Sequence, residues 1–208
     1  MADKQREENM GRYATDAGGG DFQPAPSGTF AAHCIRLIDL GTHHGEYQGK
    51  PTARNQVFIE FELPTELMDD GRPYTVGRFF TNSLSEKSNL RPLLESWRGK
   101  AFTIEELMKF DLENILGAPA LITIVHESKD GKTKAKIAGV AKLPKGFECP
   151  PKTVKPQAFW IEEWNSEIFD GLSDFFQDMI KKSDEYKERM TPQTPGTHPD
   201  PLDDDIPF

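Results

Sequence analysis

From Asn55 to Pro64 the chain reads NQVFIEFELP, with Val57, Ile59, Phe61 and Leu63 on one side of an extended backbone and Phe58, Glu60 and Glu62 on the other. That period of two predicts a half-buried antiparallel strand ended by Pro64. Before it, TFAAHCIRLIDLG has few breakers and many β-compatible residues, so it predicts a long first strand over Thr29–Gly41. HHGEYQGKP then reads as a turn-rich connection. MDDGRP is a turn signal, and YTVGRFFTNSL predicts a third strand behind it. The period then changes: Leu90, Leu93, Leu94 and Trp97 recur at three and four, with Ser88 placed as an N-cap and Gly99 as a helix-ending glycine. FTIEELMKF predicts a second short helix, because Thr103 and Glu106 have the spacing of a capping box. After Gly117 and Pro119, ALITIVHE and KAKIAGVAKL predict two more strands joined by the hairpin SKDGKT.

The predicted order is three strands, a helical insertion and two strands. It is the order of the OB-fold, a mainly β, partly open five-stranded barrel that commonly binds oligonucleotides. Beyond it, PPKTVKPQ reads as a proline-bearing linker. Phe159, Ile161, Trp164, Ile168, Leu172, Phe175, Phe176, Met179 and Ile180 then recur near helical spacing, with Gly171 a weak point. They predict a C-terminal amphipathic helix in one or two segments, packed on the barrel or on its copy in a homodimer. The expected organisation is a flexible N-terminal segment (1–26), an OB domain (27–157), a helical segment (158–190) and a proline-rich disordered tether with an acidic tip (191–208).

Apolar residues make up 36% of the 208 and mean hydropathy is −0.61, too low for a chain packed throughout, which agrees with solvated ends. No stretch has the roughly 18 apolar residues of a membrane span, and MADKQREENM lacks the apolar centre of a signal peptide, so the cytoplasm is the expected location. Cys34 reads as a buried strand residue and Cys149 as incidental. The net charge of −9 argues against nucleic acid only until it is divided along the chain. Residues 1–20 carry −1, residues 21–157 carry +1 and residues 158–208 carry −9, which leaves the cations of the middle region free to gather on one face.

Catalytic patterns are not apparent, and no cofactor or metal is expected. DGKTK holds a Gly-Lys-Thr, yet the position five before Gly131 is His126, so it is no phosphate loop. His43 and His44 are neighbours without further ligand spacing, and read as solvated. A binding surface has more support, since sequence-independent nucleic-acid grooves combine cations that follow phosphates with rings that stack bases. The third strand offers Arg72, Tyr74, Arg78 and Phe80 at period two, with Phe79 opposite. The last hairpin offers Lys132, Lys134 and Lys136, and the connection after the first strand offers Tyr47, Lys50 and Arg54.

The last six residues, DDDIPF, resemble the acidic C-terminal tip of bacterial single-stranded DNA-binding proteins. That resemblance implies docking to replication or repair enzymes such as a polymerase, primase, helicase or nuclease. Phe208 would supply a ring and terminal carboxylate, Pro207 a restricted backbone, Ile206 apolar contact, and Asp203, Asp204 and Asp205 charge for basic partners. GTFAAHCIRLIDLGTHHG, SLSEKSNLRPLLESWRGKAFT, FDLENILG and KLPKG, over residues 27–146, resemble a family of bacteriophage single-stranded DNA-binding-like replication proteins. Together these imply a protein that shields single-stranded DNA in phage replication or recombination, and the −9 carried by residues 158–208 predicts a tail that competes electrostatically for the groove. The alternative is a protein-interaction module that engages host partners through the tip without binding DNA, and a nuclease is the third class.

Overall fold

The computed structural model describes residues 23–129 and 131–191. The expected N-terminal segment up to residue 22 and the acidic tip, with the tether from residue 192, lie outside them. Two long strands, β1 (Gly28–Tyr47) and β2 (Lys50–Leu67), form the spine of a mainly β fold. The expected turn-rich connection is largely strand: Tyr47 pairs with Lys50, so only Gln48 and Gly49 turn. Both have positive φ, 52° and 74°, as a two-residue hairpin turn matched to strand twist requires. Nor does Pro64 end β2. The strand continues to Leu67, and its register against the next strand breaks between Leu63 and Leu67, taking the missing N–H out of the regular ladder.

β3 (Pro73–Thr81) pairs with β2, β4 (Pro119–Lys129) with the other side of β1, and β5 (Lys132–Ala141) with β4, all antiparallel, in the order β3-β2-β1-β4-β5. β4 covers β1 only from Gly28 to His33, which leaves the edge at Arg36–Ile38 open. A short β6 (Gln157–Phe159) fills it in parallel, so the sheet has six strands where the sequence predicted five. The sheet does not close, for no ladder joins β3 to β5 among the described residues.

Between β3 and β4 lie α1 (Leu90–Arg98), α2 (Ile104–Met108) and a 3-10 turn (Leu112–Ile115). α1 buries Leu90, Leu93, Leu94 and Trp97 as its spacing predicted, and Gly99 ends it with φ 69°. The N-cap is Asn89, one residue later than expected, while the Ser88 hydroxyl accepts the Leu90 N–H. The capping box of α2 is complete. The Thr103 N–H, foremost, with Lys100 and Arg98, holds the Glu106 carboxyl down at about 2. Trp97 packs on Phe61 at 5.2 Å between centroids, joining α1 to the core made by Leu37, Ile59, Phe61 and Leu63.

A second core covers the opposite face. α3 (Ser166–Asp170), α4 (Asp174–Lys182) and α5 (Asp184–Met190) fold back on their own sheet, placing Phe169, Leu172 and Ile180 against Ile38, Leu40 and Phe58. The expected one or two helical segments are three short ones, and Phe159, Ile161 and Trp164 precede them. β2 is consequently buried on both faces, not half-buried: Phe58 is covered, and Gly77, diagonal to it on the neighbouring strand, leaves room that a Cβ would take from its ring. The linker is strapped down as well. Glu62, 1% exposed, accepts the N–H groups of Thr153 at 2.7 Å and Val154 at 3.3 Å, and His33 Nε2 donates to the Pro150 carbonyl at 2.8 Å. No helix among the described residues is long and apolar enough to cross a membrane.

Candidate nucleic-acid interface

The unpaired edges of β3 and β5 face each other across an open groove of about 800 Å³. Thr75, Val76 and Gly77 line one side, Lys132 to Ala135 the other, and Glu60 the base. Glu60 is ion-paired with Arg36 at 3.3 Å, so the one carboxylate among the lining residues is partly neutralised. Strand alternation sends Lys132, Lys134 and Lys136 to the same exposed side of β5. Lys136 lies 3.4 Å from Glu127, whereas Lys132 and Lys134 make no ion pair with any described residue.

On β3 the face that carries Tyr74, Val76, Arg78 and Phe80 turns inward. Phe80, expected to stack bases, is 4% exposed and belongs to the core, as does Val76, so this expectation is corrected. Arg78 spans the gap: its guanidinium donates to the Ile137 carbonyl at 3.2 Å and lies 5.1 Å from the Phe80 ring centre. Tyr74 packs against the core with its hydroxyl donating to Gln23 at 2.9 Å. Arg72 precedes β3, where Asp70 takes two of its N–H groups at 2.8 and 2.6 Å, and this pairing holds the Asp70 carboxyl low.

Tyr47, Lys50 and Arg54 form a separate group on the projecting end of the β1–β2 hairpin. All three are exposed, Tyr47 by 59%, with the Arg54 guanidinium 6.0 Å from its ring centre. Arg78 pairs with Ile59, nine residues from Lys50 and five from Arg54, so along β2 these stand about 30 Å and about 17 Å from it at ~3.3 Å per strand residue. The structure thus places Lys132 and Lys134 in the lining of one groove, with Arg78 bridging β3 to β5, and leaves Arg72, Lys136 and the hairpin-end residues outside that lining.

Sequence reasoning passed over Thr75 and Gly77, which carry neither charge nor ring. It also treated Phe175 as buried. Phe175 is 58% exposed and lies 6.2 Å from Phe79, itself 42% exposed, on the other face of β3. Adjacent helical positions diverge by about 100°, so with Phe176 turned onto Phe58 at 4.8 Å, Phe175 falls at the edge of the buried stripe. A larger concavity, about 850 Å³, surrounds Trp160 with Asp39, Asp111, Glu113, Glu162 and Glu163, and Lys109 as its one basic lining residue. Burial pushes the Asp39 carboxyl above the ordinary range, although Gly41 and Ile161 donate to it at 3.0 and 3.2 Å. Such a surface repels a polyanion.

Burial pushes the Cys34 thiol up to about 12, and among the described residues no group of three or more His, Cys, Asp and Glu is placed to hold a metal ion. His44 bonds Asp184 at 2.5 Å, and His43 Nε2 donates to the Leu40 carbonyl at 2.9 Å. The expected partner-binding residues Asp203 to Phe208 lie outside the described residues. No known protein-family model and no curated protein matches this chain.

Proposed function

We propose that the protein binds single-stranded DNA in phage replication or recombination, shielding unpaired strands and recruiting enzymes through Asp203–Phe208. In this reading the sheet is an OB-type barrel left open between β3 and β5, α1 to the 3-10 turn are its insertion, and the strand occupies the opening. The observation that carries it is the row of Lys132, Lys134 and Lys136 beside a groove whose lining carboxylate is already paired. Phosphates lie against these lysines, and Tyr47 with Lys50 and Arg54 makes a second contact where a base stacks on the exposed ring. The resemblances in the sequence point the same way.

Fluorescence anisotropy with labelled oligo-dT and a duplex of equal length tests this. Oligo-dT should bind more tightly, and the variant Lys132→Glu/Lys134→Glu/Lys136→Glu should weaken it on the order of tenfold or more with its fold intact. Equal or better duplex binding overturns the single-strand assignment. A protein that binds neither, while its Asp203–Phe208 segment captures replication enzymes, is the interaction module instead, the reading that DDDIPF favours by itself. Loss of the labelled strand with magnesium would mark a nuclease.

A further inference from the structure

From Lys132 to Phe147 the chain carries five lysines and no acidic residue, in a protein whose net charge is −9. The first three stand on the exposed side of β5, Lys142 follows directly on its last residue, and Lys145 lies in the turn beyond. Lys142 and Lys145 are also exposed, and neither makes an ion pair with any described residue. The 10 residues of β5 span about 33 Å at ~3.3 Å each, so the lysines mark out a path from the β3–β5 groove, past the exposed Ala138, to the far end of the strand.

At that end lies another concavity, of about 480 Å³, whose lining includes Trp97, Arg98, Lys142, Lys145 and Phe147 and no acidic residue. The Lys142 N–H donates to the Ser96 carbonyl at 3.2 Å, which ties the end of β5 to α1. Pro144–Phe147 then form a turn: the Phe147 N–H donates to the Pro144 carbonyl at 3.1 Å, and Gly146 has the positive φ, 83°, that a type II turn needs at its third position. The turn holds Lys145 and Phe147 out in water, Phe147 by 68%. Beneath them Glu106 serves both Arg98 and Lys100, one carboxylate against two cations, and the buried Arg98 Nη1 has no acceptor among the described residues. An exposed ring beside unneutralised lysines is the combination that holds a nucleotide of a single strand, phosphate to cation and base to ring. We infer that a strand seated in the β3–β5 groove continues along β5 to this site, with phosphates at Lys142 and Lys145 and a base stacked on Phe147. The inference rests on the groove's being a single-strand site, and it makes affinity depend on strand length.

Anisotropy on the full chain with labelled oligo-dT of about 4 and about 16 nucleotides, the two ends of the site-size range of one OB fold, tests this. Phe147→Ala should weaken binding of the longer strand about fivefold or more, the effect of losing one stacked base. Lys142→Gln/Lys145→Gln should flatten its salt dependence by about 1.4 in logarithmic slope, the share of two phosphates. Both variants should bind the shorter strand as the wild type does and keep its melting temperature, since the replaced side chains stand in water. A longer strand held equally by the wild type and both variants overturns the inference and leaves the groove assignment standing. Equal weakening at both lengths also overturns it, because the effect would then come from overall charge or fold and not from the reach of the strand. Wild-type protein that binds neither length removes the proposed function, and this inference with it.

Discussion

Tyr47 and Phe80 show how differently two rings that look alike in sequence can be used. Each sits beside a cation, Arg54 at 6.0 Å and Arg78 at 5.1 Å. Tyr47 projects from a hairpin with most of its surface in water, whereas Phe80 is sealed in the core. Tyr47→Ala should therefore lower oligo-dT affinity by about 1–3 kcal/mol, the range of one base-stacking contact, and leave the melting temperature where it was. Phe80→Ala should do the reverse, costing about 3–5 kcal/mol of folding stability through the cavity it leaves. Anisotropy and thermal unfolding on both variants separate the roles, and a Tyr47 variant that loses stability but not affinity would place its ring in the fold. Alternation showed that Tyr74, Val76, Arg78 and Phe80 share a face. Which face is inward was not in that strand, because it depends on α1 and on what β2 presents beside it.

Elements whose signals are local were readable to within a residue or two. α1 is fixed by four apolar positions and a glycine, and α2 by a reciprocal cap, all within a single turn or two of chain. The destination of the C-terminal helices was not readable, for their apolar positions say that a face is buried and not against what. Here Glu185 of α5 settles it, accepting the Thr42 N–H and hydroxyl at 2.6 Å each and the Asn55 amide at 3.3 Å. Burial pushes this carboxyl up, but those donors outweigh it and leave it below the ordinary carboxylate range. Its contribution is thus complete above the unfolded value of about 4.3 and is lost as pH falls through the lower folded value. Asp39 runs opposite: raised by burial, it favours the fold when protonated and opposes it once ionised, so acid partly compensates through it. Because Trp164 lies 5.6 Å from Tyr186 on α5, its fluorescence should report α5 loosening in acid. Glu185→Gln should cost on the order of 1 kcal/mol at neutral pH and flatten that acid transition. An unchanged acid transition in the variant would assign the loosening to other carboxylates.

At the scale of the molecule, charge is sorted by face more sharply than along the chain. The concavity around Trp160 gathers five carboxylates, while β5 lines up three lysines beside the β3–β5 groove. In the proposed function the net charge of −9 does not oppose binding uniformly, because the acidic concavity repels a polyanion while the lysines of β5 attract it. If Lys132, Lys134 and Lys136 each meet a phosphate, with or without Lys50 and Arg54, three to five counterions leave on binding. The logarithm of the affinity should then fall with the logarithm of salt concentration at a slope of about −2 to −3.5 for single strands. Replacing the three lysines of β5 by Gln should flatten that slope by about 2, whereas Tyr47→Ala should lower every point and leave the slope alone, since stacking releases no ions. A salt series on the three proteins decides between them. Parallel lines for the wild type and the lysine variant would remove β5 from the phosphate path, and with it the groove as the place where the strand lies.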